Sequence, residues 1–179
     1  RRAGDAAAEA APGDTIAAAF LARARATPGA AVLADQTAGV RTYRDVVTAL
    51  FLLKPWIESL PGERVGILLP ASSTASILFL ATLFAGKTPV MLNWTAGERN
   101  LDHAVSLMAL KAVVTAKKLI ARLKGQGTAF GAAEPAFVFV EDFAGSLGRP
   151  RKLAAWARAH LSWRGLDPVA IAGSPRAPH

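Results

Sequence analysis

The sequence predicts an α/β fold in which alternating βα units form a mainly parallel sheet with helices on both faces. Three observations carry this. Short continuous apolar runs at 65–69 and 88–92 have the length and character of buried parallel strands, and those at 112–115 and 136–140 read as a third and a fourth strand. Segments with helical apolar spacing separate them. Glycine, proline or an N-cap residue punctuates nearly every junction. Strand, helix and parallel strand in one sheet imply right-handed crossovers.

Taken in order, residues 1–13 are alanine-rich with scattered charge and read as a tail or interdomain linker. Asp14 and Thr15 are N-cap types, and Ile16, Phe20 and Ala24 share the apolar face of the helix they open; Pro28 and Gly29 stop it. Residues 31–34 and 40–43 flank a turn containing Gly39 and form a hairpin. Thr42 caps a helix over 43–60 whose core stripe is Val46, Val47, Leu50, Leu53 and Ile57. Pro55 lies inside that run and predicts a kink or break.

The run 65–69 ends at Pro70, and Ser72 or Ser73 caps a helix over 74–85. A second buried strand follows at 88–92. Thr95 and Glu98 have capping-box spacing, and Leu101, Ala104, Val105 and Met108 form the next apolar stripe. Residues 112–115 are a third strand, 117–123 a basic helix, 136–140 a fourth strand and 150–161 a second basic helix. The organised unit therefore spans 14–161, and 162–179, with three prolines and two glycines, is an irregular tail.

Hydrophobic residues make up 52% and charged residues 19%, which supports a large core and argues against disorder. No cysteine is present, so disulfides, thiolate metal sites and cysteine nucleophiles are excluded. The net charge of +8 is uneven: ten basic residues face nine acidic ones up to Leu110, and eleven face four from Lys111 onward. A basic face of that kind attracts polyanions, although a solvated helix face is the simpler explanation. Residues 1–12 lack the apolar region of a secretory signal, and the most apolar stretch, 77–85, is about half a bilayer span. These features predict a cytoplasmic chain, at most peripheral to the inner membrane.

Three segments carry a family resemblance: Arg64-Val-Gly-Ile-Leu-Leu-Pro-Ala-Ser, Phe84-Ala-Gly-Lys-Thr-Pro-Val-Met-Leu-Asn93, and Val113-Val-Thr-Ala-Lys-Lys-Leu-Ile. Together with Thr42-Tyr-Arg-Asp-Val and Phe137-Val-Phe-Val-Glu-Asp-Phe, they resemble the N-terminal subdomain of AMP-dependent, adenylate-forming acyl synthetases. Within that family the sequence is most similar to the acyl-acyl-carrier-protein synthetase part of the bifunctional 2-acylglycerophosphoethanolamine acyltransferase. The resemblance covers residues 14–161, and its motifs are structural.

It implies a partial N-terminal subdomain of that enzyme fold and a two-step ligase reaction. A fatty acid carboxylate attacks the α-phosphate of ATP and expels pyrophosphate to give an acyl adenylate, with Mg2+ neutralising charge, and the thiol of acyl carrier protein or coenzyme A then displaces AMP. The family's phosphate loop, acidic magnesium ligand, and later aspartate and lysine would fall at or beyond residues 173–179. The chain is thus expected to be inactive alone and to bind neither ATP nor Mg2+ tightly.

Two glycine stretches invite a phosphate-loop reading. Gly145-Ser-Leu-Gly-Arg-Pro-Arg-Lys follows Glu141-Asp142, but its position favours a turn leading into the basic helix. In Asp167-Pro-Val-Ala-Ile-Ala-Gly-Ser-Pro-Arg-Ala-Pro-His, Gly173 and Ser174 fall in the register the resemblance assigns to the loop, as a remnant. Pro175 then removes a backbone donor from a loop built to supply donors. Asn93 follows a strand's carboxyl end, where the resemblance implies the edge of the substrate cleft, and a structural loop asparagine is the simpler role. His103, His160 and His179 are too scattered to hold a metal, and no catalytic residue is assigned.

A different function class competes with the ligase fragment. It is a non-catalytic α/β binding module whose basic last third contacts an acidic partner: carrier protein, anionic membrane or nucleic acid. The dispersed Trp56, Trp94, Trp156 and Trp163 form no stacking platform, so nucleic acid is not the expected partner. A sheet separated from its neighbouring domain would expose an apolar face, so self-association is also expected.

Overall fold

The computed structural model describes residues 15–36 and 39–166. The expected linker over 1–13 and the remnant-loop positions Gly173 and Ser174 lie outside the described residues.

Thr15 opens α1 (Ile16–Ala26), its hydroxyl accepting the Ala18 N–H at 3.1 Å. The buried face is Ala17, Leu21 and Ala24: Ala24 is buried as expected, and Ala17 and Leu21 take the places expected of Ile16 and Phe20. Ile16 is 60% exposed because it sits on the outer side of the first turn. Phe20 works from the flank, where its ring reaches Tyr43 and Phe84. The hairpin forms as expected from β1 (Ala31–Asp35) and β2 (Gly39–Thr42), paired antiparallel.

β2 runs directly into α2 (Tyr43–Ser59) through a complete capping box. Asp45 N–H donates to the Thr42 hydroxyl at 3.2 Å, and the Asp45 carboxylate accepts from the Thr42 N–H at 2.8 Å. α2 continues through Pro55 without a break. Burial of Val46, Val47, Leu50 and Phe51 before the proline and Ile57 after it holds both sides of the turn in place.

The sheet comprises β3 (Arg64–Leu68), β4 (Thr88–Met91), β5 (Val113–Thr115) and β6 (Phe137–Phe139), all parallel, in the order β4-β3-β5-β6. Five helices complete it: α3 (Ser73–Phe84), α4 (Glu98–Leu107), α5 (Lys117–Gly125), α6 (Val140–Ser146) and α7 (Arg149–Leu161). The pleat divides the core in two. Val65, Ile67 and Val114 point into a cluster with α1, α2, α3 and α7, while Leu68 and Val113 point into one with α4 and α5. Helices therefore cover both faces, and the α/β fold expected from the sequence is the one observed.

Three local expectations change. Residues 88–92 were expected to be a buried strand, but β4 is at the sheet edge, with Met91 53% exposed. Pro89, which lacks an N–H, is tolerated in an edge strand. Thr95 and Glu98 form no capping box: a short 3-10 turn, Trp94–Ala96, intervenes, and Gly97 at φ +85° precedes α4 without a side-chain cap. Met108 lies past the end of α4 and is 39% exposed, so the buried stripe reduces to Leu101 and Val105. The structure also adds α6, a short helix where the sequence reading passed straight from strand to turn. No helix among the described residues is long and apolar enough to cross a membrane.

Candidate functional site

In open parallel sheets the ligand crevice lies outside the carboxyl ends of the strands, where the strand order reverses. Here β3 has β4 on one side and β5 on the other, so the reversal falls between β3 and β5. Four connections meet along this edge: Pro70 to Ser72 after β3, Leu92 to Asn93 after β4, Ala116 after β5, and α6 after β6. Thr115, buried at the end of β5, donates its hydroxyl to the Leu68 carbonyl at 2.9 Å and locks the two central strand ends together.

The helix N-termini on this edge are the natural anion-binding groups, and the protein occupies two of them with its own carboxylates. Asp35, from the hairpin, accepts the Ser73 N–H at the start of α3 at 2.7 Å. Glu141, from α6, accepts the Lys117 N–H at the start of α5 at 2.9 Å. Lys117 Nζ pairs in turn with Asp142. Sequence spacing could not reveal either contact, because the partners are 38 and 24 residues apart. The hydroxyl of Ser73 is buried beside the Asp35 contact and has no hydrogen-bond partner among the described residues.

Asn93 follows β4 at this edge and is exposed. Its side-chain oxygen accepts from the Thr95 N–H at 2.9 Å and the Thr95 hydroxyl at 2.7 Å, which caps the 3-10 turn. The geometry thus gives Asn93 a turn-capping role.

Gly145 lies within α6, and a Cβ there would meet nothing within 4 Å. The stretch from Gly145 is therefore a helix end and a turn into α7, as its position suggested, and contains no backbone cradle for phosphate. Among the described residues, no three His, Asp or Glu side chains gather as a metal site. Glu141 and Asp142 are committed to the start of α5. These residues accordingly do not fit ATP phosphates or Mg2+. His103 is exposed on α4, and His160 donates from Nδ1 to the Trp156 carbonyl at 2.8 Å, with its ring over the indole.

A parallel βα sheet with helices on both faces and its connections gathered at the carboxyl edge defines the class as an α/β domain. The model of the AMP-binding enzyme family matches residues 20–150, and the chain belongs to that family. Solved structures agree in fold. VinN in complex with L-aspartate aligns with a TM-score of 0.60 at 16% identity, over 85% of this chain and 39% of that one. A benzoate CoA ligase from Burkholderia xenovorans LB400 aligns at 0.55 and 18% identity, over 74% and 28%. The inhibitor-bound N-terminal domain of FACL13 from Mycobacterium tuberculosis aligns at 0.55 and 16% identity, over 87% and 37%. The chain thus spans about two fifths or less of the length of these structures.

Proposed function

We propose that this chain is the front part of an ATP-dependent acid–thiol ligase and supplies scaffold rather than chemistry. In the whole enzyme, a fatty acid and ATP would give an acyl adenylate, and acyl carrier protein or coenzyme A would take the acyl group as a thioester. The acyl-carrier-protein branch is favoured by the segments quoted above, with Phe137-Val-Phe-Val-Glu-Asp-Phe as its particular mark. In this reading Asn93 borders the substrate cleft, and Gly173 and Ser174 mark where phosphate-binding backbone belongs. The observation that carries the reading is the family match over 20–150 together with an edge where carboxylates of this chain already cap the starts of α3 and α5. The test is pyrophosphate exchange with ATP, Mg2+ and a long-chain fatty acid. No exchange above background is expected from residues 1–179, and measurable exchange would show a working site in the chain.

A second reading, an accessory anionic-surface contact, is favoured by α7. Leu153, Trp156 and Leu161 are 66%, 53% and 85% exposed. From residue 143 to residue 166 the chain carries five Arg or Lys and no Asp or Glu. Exposed apolar side chains among unopposed cations suit the interface of an anionic membrane. Co-sedimentation with phosphatidylglycerol vesicles at low salt, lost at high salt, is the expected result; equal recovery with neutral vesicles removes this reading.

A further inference from the structure

We propose that the cleft between α2, α6 and α7 binds an amphipathic organic anion, with its apolar body against Trp56 and Leu147 and its carboxylate between Arg151 and Arg158. The cleft has a volume of about 480 Å3, within the range of small-molecule sites. Its α2 wall, which includes Phe51 and Trp56, belongs to the half of the helix that leads toward the start of β3. The opposite wall comes from Phe143 and Leu147 at the end of α6 and from α7. The carboxyl edge takes the start of α6, through Glu141 and Asp142, and this cleft takes the end of that helix.

The walls are built rather than loose. Trp56 and Phe143 stack with centroids 4.4 Å apart and planes 17° from parallel, joining α2 to α6. The Arg158 guanidinium lies 4.6 Å from the centre of the Phe51 ring, and one of its nitrogens donates to the Arg164 carbonyl at 3.1 Å. A guanidinium held between a ring and a carbonyl is fixed in direction and keeps other N–H groups to donate. Arg151 precedes it by two helical turns on the same side of α7, so both line one wall.

The charge balance of the cleft identifies the occupant. No carboxylate lines it, and neither arginine forms an ion pair among the described residues. Glu58, the acid that α2 carries nearby in sequence, is already bonded to Lys54 at 2.6 Å. Two cations beside an aromatic and aliphatic wall call for a ligand with one anionic head and an apolar body. Charge-assisted hydrogen bonds would hold the head, and burial of the body would supply the rest. A neutral ligand would leave the guanidiniums unmatched.

The proposal stands apart from the ligase reading, and titration calorimetry tests it without turnover. Decanoate below its micellar concentration is the probe, and 1-decanol is its neutral counterpart. Saturable one-to-one binding of decanoate is expected, with 1-decanol and the Arg151→Gln variant each weaker by about tenfold, the effect of one lost charge-assisted bond. Ala154→Trp, at an exposed position on the wall of the cleft, should fill the space and abolish binding while leaving the circular dichroism spectrum unchanged. Because Arg158 also packs on Phe51, Arg158→Gln can unfold α7, and Arg151→Gln and Ala154→Trp decide the matter in that case. Absent decanoate binding overturns the proposal, as does equal binding of 1-decanol. So does decanoate binding indifferent to Ala154→Trp, because that ligand would sit elsewhere, such as at the sheet edge.

Discussion

The carboxylate of Glu141 accepts the backbone N–H of Lys117 at 2.9 Å, so a residue of α6 caps the start of α5. The local N-cap of α5 is Ala116, which makes no side-chain bond, and the cap is therefore imported from 24 residues away. A carboxylate at a helix start is favoured both by the free N–H groups and by the helix dipole. Removing it in Glu141→Ala should cost about 1 kcal/mol, the usual worth of a cap. Urea denaturation reads this as a lower midpoint at unchanged slope. Glu141→Gln, which keeps an accepting oxygen, should lose less; equal losses in the two variants would mean that the cap is not the cause.

The box at the start of α2 predicts a pH response. Asp45 is held below the ordinary aspartate range chiefly by its hydrogen bond from the Thr42 N–H, with the Thr42 hydroxyl and the charges of Arg41 and Arg44 adding to the effect and burial opposing it. A group whose folded pKa is depressed contributes stability above its unfolded pKa and loses it as pH falls through the folded value. The wild type should therefore lose this part of its stability below about pH 4, the ordinary aspartate value. Asp45→Ala should be less stable than wild type at neutral pH, and the gap should narrow in the acid range. Denaturation midpoints measured from pH 7 down to pH 3 check it, and a gap independent of pH would assign the loss to packing instead.

These two caps show what the sequence could reveal. The Thr42–Asp45 box lies within one turn, and the start of the helix at Thr42 is legible from a capping residue before an apolar stripe. The strands were legible for a similar reason, since each is a single apolar run. Edge and centre were not, because Thr88-Pro89-Val90-Met91 reads as apolar whether or not a neighbour pairs beyond it. The Asp35–Ser73 and Glu141–Lys117 contacts depend on which chain segments fold side by side, and no spacing rule encodes that. Asn93 was readable as a residue at a strand's end, while its bonds to Thr95 emerge only from the turn geometry.

Gly66 marks a close approach within the sheet. A Cβ there would stand 3.0 Å from Leu92 Cδ1, 3.0 Å from Val113 Cγ2 and 3.1 Å from Leu110 Cδ1. These side chains belong to the cluster beneath α4 and α5, so the missing methyl is what lets them close over β3. Gly66→Ala should overpack the core and destabilise the protein by about 1–3 kcal/mol. Pairing it with Leu110→Ala opens space on the same spot. Thermal melts of the single and double variants should then show a recovery relative to additivity, and strictly additive losses would argue against overpacking as the cause.

Gly131 and Asp102 form a comparable pair on the same side of the sheet. Gly131 opens the 3-10 turn Gly131–Ala136 at φ +42°, a region that favours glycine. A Cβ on it would run into the Asp102 carboxylate, which meanwhile accepts the Ala133 N–H at 3.2 Å. The carboxylate on α4 thus holds the turn in place by standing where a side chain would be. Gly131→Ala should cost more than the strain alone, roughly 1–3 kcal/mol in total, because the incoming methyl also displaces that hydrogen bond. Asp102→Ala removes the obstacle together with the bond, so the second substitution should hurt less once the first is made. A double-mutant cycle measured by urea denaturation should give an interaction energy above about 0.5 kcal/mol. An interaction energy indistinguishable from zero would leave the left-handed backbone as the sole reason for glycine at this position.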